Sequence, residues 1–179
     1  EQLELNKAEL LFGQKQFQEA AQEYRSFVSR YPQSTLKAQA LYWQGRSLQE
    51  AGNAADAARA YSDAADVPNA AMNIKGNALL ESARIYLKLK DYEQSFRVLD
   101  RAEKALAESE FSSIVAYVKG LVFYENGASD DAKAKFEFVI SKFGSTVEAD
   151  KSRMGLVRIA LKEKDVASAQ TLSQQVATS

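Results

Sequence analysis

Residues 17–27, Phe17-Gln18-Glu19-Ala20-Ala21-Gln22-Glu23-Tyr24-Arg25-Ser26-Phe27, set a small residue, Ala20, four positions before a large one, Tyr24. The same pair returns as Ala57/Tyr61, Ser95/Leu99, Ala132/Phe136 and, in weaker form, Ala169/Ser173, at steps of 37, 38, 37 and 37 residues. Two further columns keep that step. Twelve residues before each small residue stand Ala8, Gly45, Ala83, Gly120 and Val157, and seven after it stand Phe27, Ala64, Ala102, Val139 and Val176. A fixed period of this length marks one supersecondary unit stacked on itself along the chain.

Each unit reads as two helices. Apolar residues recur at spacings of three and four, as in Leu41, Tyr42, Gly45, Leu48 and again in Ala57, Ala58, Tyr61, Ala64, Ala65, with no sustained alternation of strand type. Small residues at the crossing let two helices approach, and the bulky residue one turn on fills the space beside them. Glycine or lysine followed by a short polar or small side chain punctuates the hairpins, at Gly52-Asn53, Lys90-Asp91, Gly127-Ala128-Ser129 and Lys164-Asp165. Between units, Tyr31-Pro32-Gln33-Ser34 stops one helix and offers Ser34 as a cap. Phe143-Gly144-Ser145-Thr146 repeats the joint, with Ser145 and Glu148 at capping-box spacing. These signals place helices near 2–13, 16–30, 34–51, 54–66, 71–89, 92–107, 110–126, 129–142, 146–163 and 166–177. The expected fold is an all-α, right-handed superhelix of about five helix pairs in one domain, with units near 1–33, 34–70, 71–108, 109–145 and 146–179.

Composition narrows the function. The 179 residues are 46% hydrophobic and 26% charged, with 23 basic against 24 acidic side chains, so no overall field steers the chain to nucleic acid. Cysteine and histidine are absent, which removes disulfides, thiol nucleophiles, imidazole triads and zinc sites built on those ligands. No segment is apolar enough to span a membrane. Chemical spellings that remain are accounted for locally. Ser34-Thr35-Leu36-Lys37 matches Ser-x-x-Lys but lacks companion motifs. Glu108-Ser109 has no lysozyme-like domain beside it, and Asp130-Asp131 suits the positive end of a helix dipole. The expectation is a chain that is not an enzyme and needs no cofactor or metal.

The glycine-containing first helix, the Ala-x-x-x-aromatic second helix and the closing proline resemble the tetratricopeptide repeat, most closely over Gly13–Pro32 and Trp43–Ala64. The run Phe27-Val28-x-x-Tyr31-Pro32-x-Ser34, followed by Ala38-x-Ala40-x-Tyr42-Trp43-x-Gly45, is similar to the tetratricopeptide domains of bacterial cell-envelope proteins. Those include the periplasmic coordinator of the Tol-Pal system and the lipoprotein of the outer-membrane assembly machine. That resemblance implies a periplasmic or outer-membrane-associated setting in a bacterium and a scaffold role within an envelope complex. The chain departs from the family pattern in its longer period, in the polar residues Lys7, Gln44, Ser82 and Lys119 just before the helix glycine, and in Ser173.

Such an array lines a concave face with its first helices. In this register one column reads Glu9, Arg46, Arg84, Leu121, Arg158, and its neighbours read Leu5, Tyr42, Leu80, Tyr117, Met154 and Phe12, Gln49, Leu87, Tyr124, Leu161. Tyr42, Arg46, Arg84, Tyr117, Tyr124 and Arg158 are therefore the candidate site for a protein or peptide partner carrying acidic groups, because guanidinium forks pair with carboxylates and tyrosine adds contact area. Alternatively the apolar column packs neighbouring helices and the arginines are solvated or paired with local acids such as Glu50 and Glu81. Trp43, the single tryptophan, fits either a core position or an exposed anchor. Two other roles stay open: the accessory superhelix of a larger envelope enzyme, and a self-assembly module that forms a homo-oligomer through its terminal helices.

Overall fold

The computed structural model describes residues 1–177, with side chains through residue 174. Among these residues every regular element is an α-helix: α1 (Gln2–Gly13), α2 (Phe17–Arg30), α3 (Lys37–Glu50), α4 (Ala54–Asp66), α5 (Met72–Lys88), α6 (Tyr92–Ala105), α7 (Ser112–Glu125), α8 (Ser129–Lys142), α9 (Val147–Lys162) and α10 (Val166–Ala177). These match the expected ten, four of them to the residue at both ends and three more within one residue at each end. Contacts divide the chain into two compact units, Glu1–Val98 and Leu99–Ser179, with the division inside α6.

The hairpin turns are built alike in all five helix pairs. Lys15, Gly52, Lys90, Gly127 and Lys164, themselves 37 or 38 residues apart, take left-handed backbone angles with φ of 62°, 83°, 59°, 84° and 62°. Each closes the preceding helix by a Schellman pair of hydrogen bonds. In the first, the Gln16 amide donates to the Leu11 carbonyl and the Lys15 amide to Phe12, both at 2.9 Å. In the last, Asp165 donates to Ala160 at 2.9 Å and Lys164 to Leu161 at 3.1 Å. Asp91 and Asp165 then start the next helix, their Oδ1 atoms accepting from the Gln94 and Ser168 amides at 3.1 Å. Asn53 does not cap; its side-chain amide donates to Gln18 at 2.9 Å instead.

Two expected caps are displaced. Ser34 does not begin α3, which starts three residues later at Lys37. Its hydroxyl accepts from the Leu36 amide at 3.2 Å and donates to Glu1, closing a turn of its own. At the later joint Thr146, not Ser145, is the cap, its Oγ1 accepting from the Ala149 amide at 3.3 Å. Glu148 is thereby free to accept from Ser113 on α7 at 3.5 Å. A polar side chain near a joint can satisfy a turn or a helix, and the backbone path decides which.

The repeat columns are the core. Ala20, Ala57, Ala132, Tyr24, Tyr61, Leu99 and Phe136 are all buried. Val176 of the third column lies outside the described side chains. In the unit Glu1–Val98, the Tyr61 ring lies against Gly45, where an added Cβ would stand 2.9 Å from a ring carbon. In the unit Leu99–Ser179, Phe136 is held between two glycines, Gly120 on α7 and Gly155 on α9. Ser95 stands where the other second helices carry alanine, and it is tolerated because its hydroxyl donates to the Ala83 carbonyl at 2.9 Å.

First helices are packed on more than one side. α3, between α2 and α4, buries Ala38, Ala40, Leu41, Gln44, Gly45, Ser47 and Leu48, whereas α2 buries a single stripe of Ala20, Ala21, Tyr24 and Phe27. That difference explains the unusual polar column. Ser82 donates to the Ala58 carbonyl at 2.9 Å, Lys119 reaches Asp100 at 2.7 Å and Glu103 at 2.6 Å, and Lys7 reaches Glu23 at 2.5 Å. These side chains face a neighbouring second helix and find polar partners there, so leucine is not required.

Candidate partner-binding faces

In the unit Glu1–Val98 the first-helix face is built on α1, α3 and α5. Trp43 stands edge-on to Phe12 at 5.3 Å and to Tyr42 at 6.2 Å, and Tyr42 stands edge-on to the buried Tyr61 at 5.3 Å. Arg46, one turn after Trp43, lays its guanidinium over the indole at 5.3 Å from the ring centre and over Phe12 at 6.0 Å. Trp43 is therefore a half-buried platform packed on the α1/α2 core, with a cation covering its outer face. Arg46 is exposed and makes no ion pair with a carboxylate among the described residues.

Arg84 behaves differently. It pairs with Glu81 at 2.7 Å within α5, as the local-acid alternative anticipated. Glu81 also helps line a cavity of about 250 Å³ with Tyr42, Arg46, Gln49, Glu50 and Tyr61. The structure thus brings Tyr42 and Arg46 together beside Glu81, the carboxylate that Arg84 pairs with. Burial raises the Tyr42 hydroxyl above its usual pKa, and Arg46 opposes part of that rise while Glu81 adds to it. Tyr61 spends its hydroxyl on Gln49, 3.1 Å away.

In the unit Leu99–Ser179 the corresponding face lies on α7 and α9. Tyr117 is half-buried and tilts against Phe136 at 6.1 Å, and Tyr124 packs on the same core. Two lysines of α9 cover these rings: Lys151 stands 5.9 Å from the centre of Tyr117 and Lys162 stands 5.4 Å from that of Tyr124. Met154, Arg158 and Leu161 project beside them and are exposed. The acids of α9 and its C-cap Glu163 are engaged locally. Asp150 holds Arg153 at 2.6 Å, Glu148 holds Lys151 at 3.9 Å, and Glu163 holds Lys133 at 2.6 Å. Arg158 and Lys162 have no carboxylate partner among the described residues, so this face carries net positive charge over aromatic rings.

Two members of the expected columns are not surface residues. Leu5 and Leu80 are buried, 2% and 3% exposed, and belong to the core rather than to a binding face. Of the remaining column positions, Glu9, Arg46, Met154, Arg158 and Leu161 are exposed and the others are half-buried. The sequence reading missed the aromatic backing of the cations. The Trp43–Arg46 contact has a local signal, residues three apart on one helix face. The lysine–tyrosine contacts cross from α7 to α9 and have none.

The chain matches the family model of the tetratricopeptide repeat-like domain over residues 4–147. It belongs to that family. Solved structures share the fold at low identity. A tetratricopeptide repeat protein from Parabacteroides merdae superposes with a TM-score of 0.77 at 14% identity, over 99% of this chain and 65% of that one. MamA from Desulfovibrio magneticus does so at 0.74 and 16%, over 99% and 93%, and the apo form of RapI at 0.79 and 11%, over 97% and 51%. The chain thus spans less than two thirds of the Parabacteroides protein and about half of RapI. No curated protein matches it by sequence. The tetratricopeptide fold is typically a non-enzymatic scaffold for protein partners, and no described helix is long and apolar enough to cross a membrane.

Proposed function

We propose that this chain is a non-catalytic scaffold whose first-helix faces bind an acidic segment of a protein partner, within a bacterial cell-envelope complex. The observation that carries the reading is the state of the cations on those faces. Arg46 lies on Trp43 and Phe12, and Lys162 on Tyr124, without a neutralising carboxylate. A guanidinium resting over aromatic rings keeps N–H groups for a ligand, and the rings help to position it before the partner arrives. Arg84 exchanges its i,i+3 partner Glu81 for a partner carboxylate, because a half-exposed pair within one helix is worth about 1 kcal/mol or less. The envelope setting rests on the resemblance of residues 27–45 to the envelope branch of the family, and with it go partners in outer-membrane assembly or Tol-Pal function.

Affinity capture from a bacterial envelope extract tests this, run in parallel with the Arg46→Glu, Arg84→Glu, Arg158→Glu triple variant at low and moderate salt. The parent retains an envelope protein that the folded variant loses, and moderate salt weakens the capture. Equal capture by both, or retention of cytoplasmic proteins alone, contradicts the reading.

A further inference from the structure

The last helix pair reverses the size pattern that fills every other described crossing. In the unit Leu99–Ser179, Phe136 of α8 occupies a space bordered by Tyr117, Gly120 and Leu121 of α7. Moving each of these four residues forward by the 37-residue step gives Met154, Val157, Arg158 and Ser173. Those four residues line an open cavity of about 240 Å³. The cavity is the place of the missing ring. Val157 fills part of what glycine leaves open at Gly120, and Ser173 turns its hydroxyl back onto the Ala169 carbonyl at 2.7 Å, leaving its pocket side without a large group.

The chemistry of the rim selects an occupant. A dry cavity of about 150 Å³ already admits benzene, so this one has room for a phenyl or phenol group. Met154 supplies a polarisable thioether for such a ring, and its side chain is 47% exposed. Arg158 lines the cavity without a carboxylate partner among the described residues, whereas Glu148 and Asp150, the acids of α9, pair with Lys151 and Arg153. Lys162 and its Tyr124 platform lie one turn further along the same helix. A mostly apolar hole with Arg158 in its lining, and Lys162 one turn beyond it, complements an aromatic side chain flanked by acids.

We propose that the Met154, Val157, Arg158, Ser173 cavity takes an aromatic side chain of the acidic partner segment, replacing the repeat's own missing ring, while Arg158 pairs with an adjacent carboxylate. This rests on the acidic-partner reading and adds an anchor residue to it.

Two fluorescein-labelled probes test it by anisotropy: the peptide Asp-Glu-Asp-Phe-Asp-Glu-Asp and the same peptide with alanine in place of phenylalanine. The parent is expected to bind the phenylalanine probe at least tenfold more tightly. Ser173→Phe, which puts the ring back covalently, abolishes that preference, and Ser173→Leu does the same with a smaller side chain should phenylalanine crowd Val157. Arg158→Gln weakens both probes alike. Equal binding of the two probes by the parent, or a preference that survives in the folded Ser173 variants, overturns the cavity proposal. Equal binding that the arginine triple variant abolishes sinks the cavity and leaves the acidic-partner reading standing, and no binding of either probe sinks both. Concentration-dependent sedimentation of the parent that Ser173→Phe removes identifies the occupant as a second copy of the chain and also overturns the proposal.

Discussion

Alanine in place of glycine is expected to have opposite effects at different points of this chain, and the difference follows from the Phe136 clamp. Glycine inside a helix costs about 1 kcal/mol relative to alanine, so substitution in open space is stabilising. Gly13 is such a position, with nothing within 4 Å of an added Cβ. At Gly120 the new Cβ would lie 2.7 and 2.8 Å from two ring carbons of Phe136, and at Gly155 it would lie 2.6 Å from the ring's other edge. Ordinary contact needs several tenths of an ångström more, and the ring, fully buried between α7 and α9, cannot retreat from one helix without pressing on the other. Overpacking of this kind costs about 1–3 kcal/mol. Subtracting the helix gain leaves Gly120→Ala and Gly155→Ala destabilised by up to about 2 kcal/mol, a fall in Tm of up to about 8 °C at the usual conversion for a chain of this size. Gly13→Ala rises by up to about 1 kcal/mol. Urea unfolding followed by far-ultraviolet circular dichroism measures all three. Adding Phe136→Leu to Gly120→Ala should recover part of the loss, so that the double variant is more stable than the two single effects predict. A Gly120→Ala protein stabilised as much as Gly13→Ala refutes the clamp.

Other outcomes follow from single interactions. Lys90→Gly and Lys164→Gly relieve left-handed lysines and should each add about 0.5–1 kcal/mol, while Gly52→Ala subtracts a similar amount, all read from urea midpoints. The Tyr24 hydroxyl is buried with no hydrogen-bond partner among the described residues, and burial followed by the nearby Glu9 raises its pKa, so Tyr24→Phe should be neutral or stabilising by about 1 kcal/mol. Tyr61→Phe, which discards the bond to Gln49, should cost about 1 kcal/mol. Burial by itself would raise the Glu103 carboxyl, but hydrogen bonds from Lys119 and Lys135 outweigh it and hold the pKa below the ordinary 4.5. A depressed carboxylate stabilises the fold above its unfolded pKa and loses that contribution as pH falls through the folded value. Acid unfolding of the parent below pH 4.5 should therefore be steeper than that of Glu103→Gln.

The helix pairs were legible because the chain states the same pattern five times. A glycine or lysine every 37 or 38 residues marks a left-handed turn, and the small and large partners of each crossing keep their register across the whole length. The joints were less legible, since Ser34 and Ser145 are plausible caps and only the backbone path assigns one to a turn and passes the other's role to Thr146. Leu5 and Leu80 share a column with Tyr42 and Met154, but the column's exposure changes with its neighbours, which periodicity does not report. The candidate faces were legible as residue types. Their electrostatic state was not: whether an arginine meets Glu81 or Trp43 depends on helix rotation, and the Lys151–Tyr117 and Lys162–Tyr124 contacts join separate helices.

The central claim, that the cations of the first-helix faces receive partner carboxylates, is tested most directly by nitrogen-resolved NMR of the arginine side chains during titration with a short oligomer of glutamate. The Nε–H signals of Arg46 and Arg158 should shift first and saturate together with those of Arg84 as Glu81 is displaced, with the shifts reduced by added salt. Shifts that fall instead on Arg59, Arg97 and the other second-helix cations, or that spread evenly over every basic side chain, contradict it.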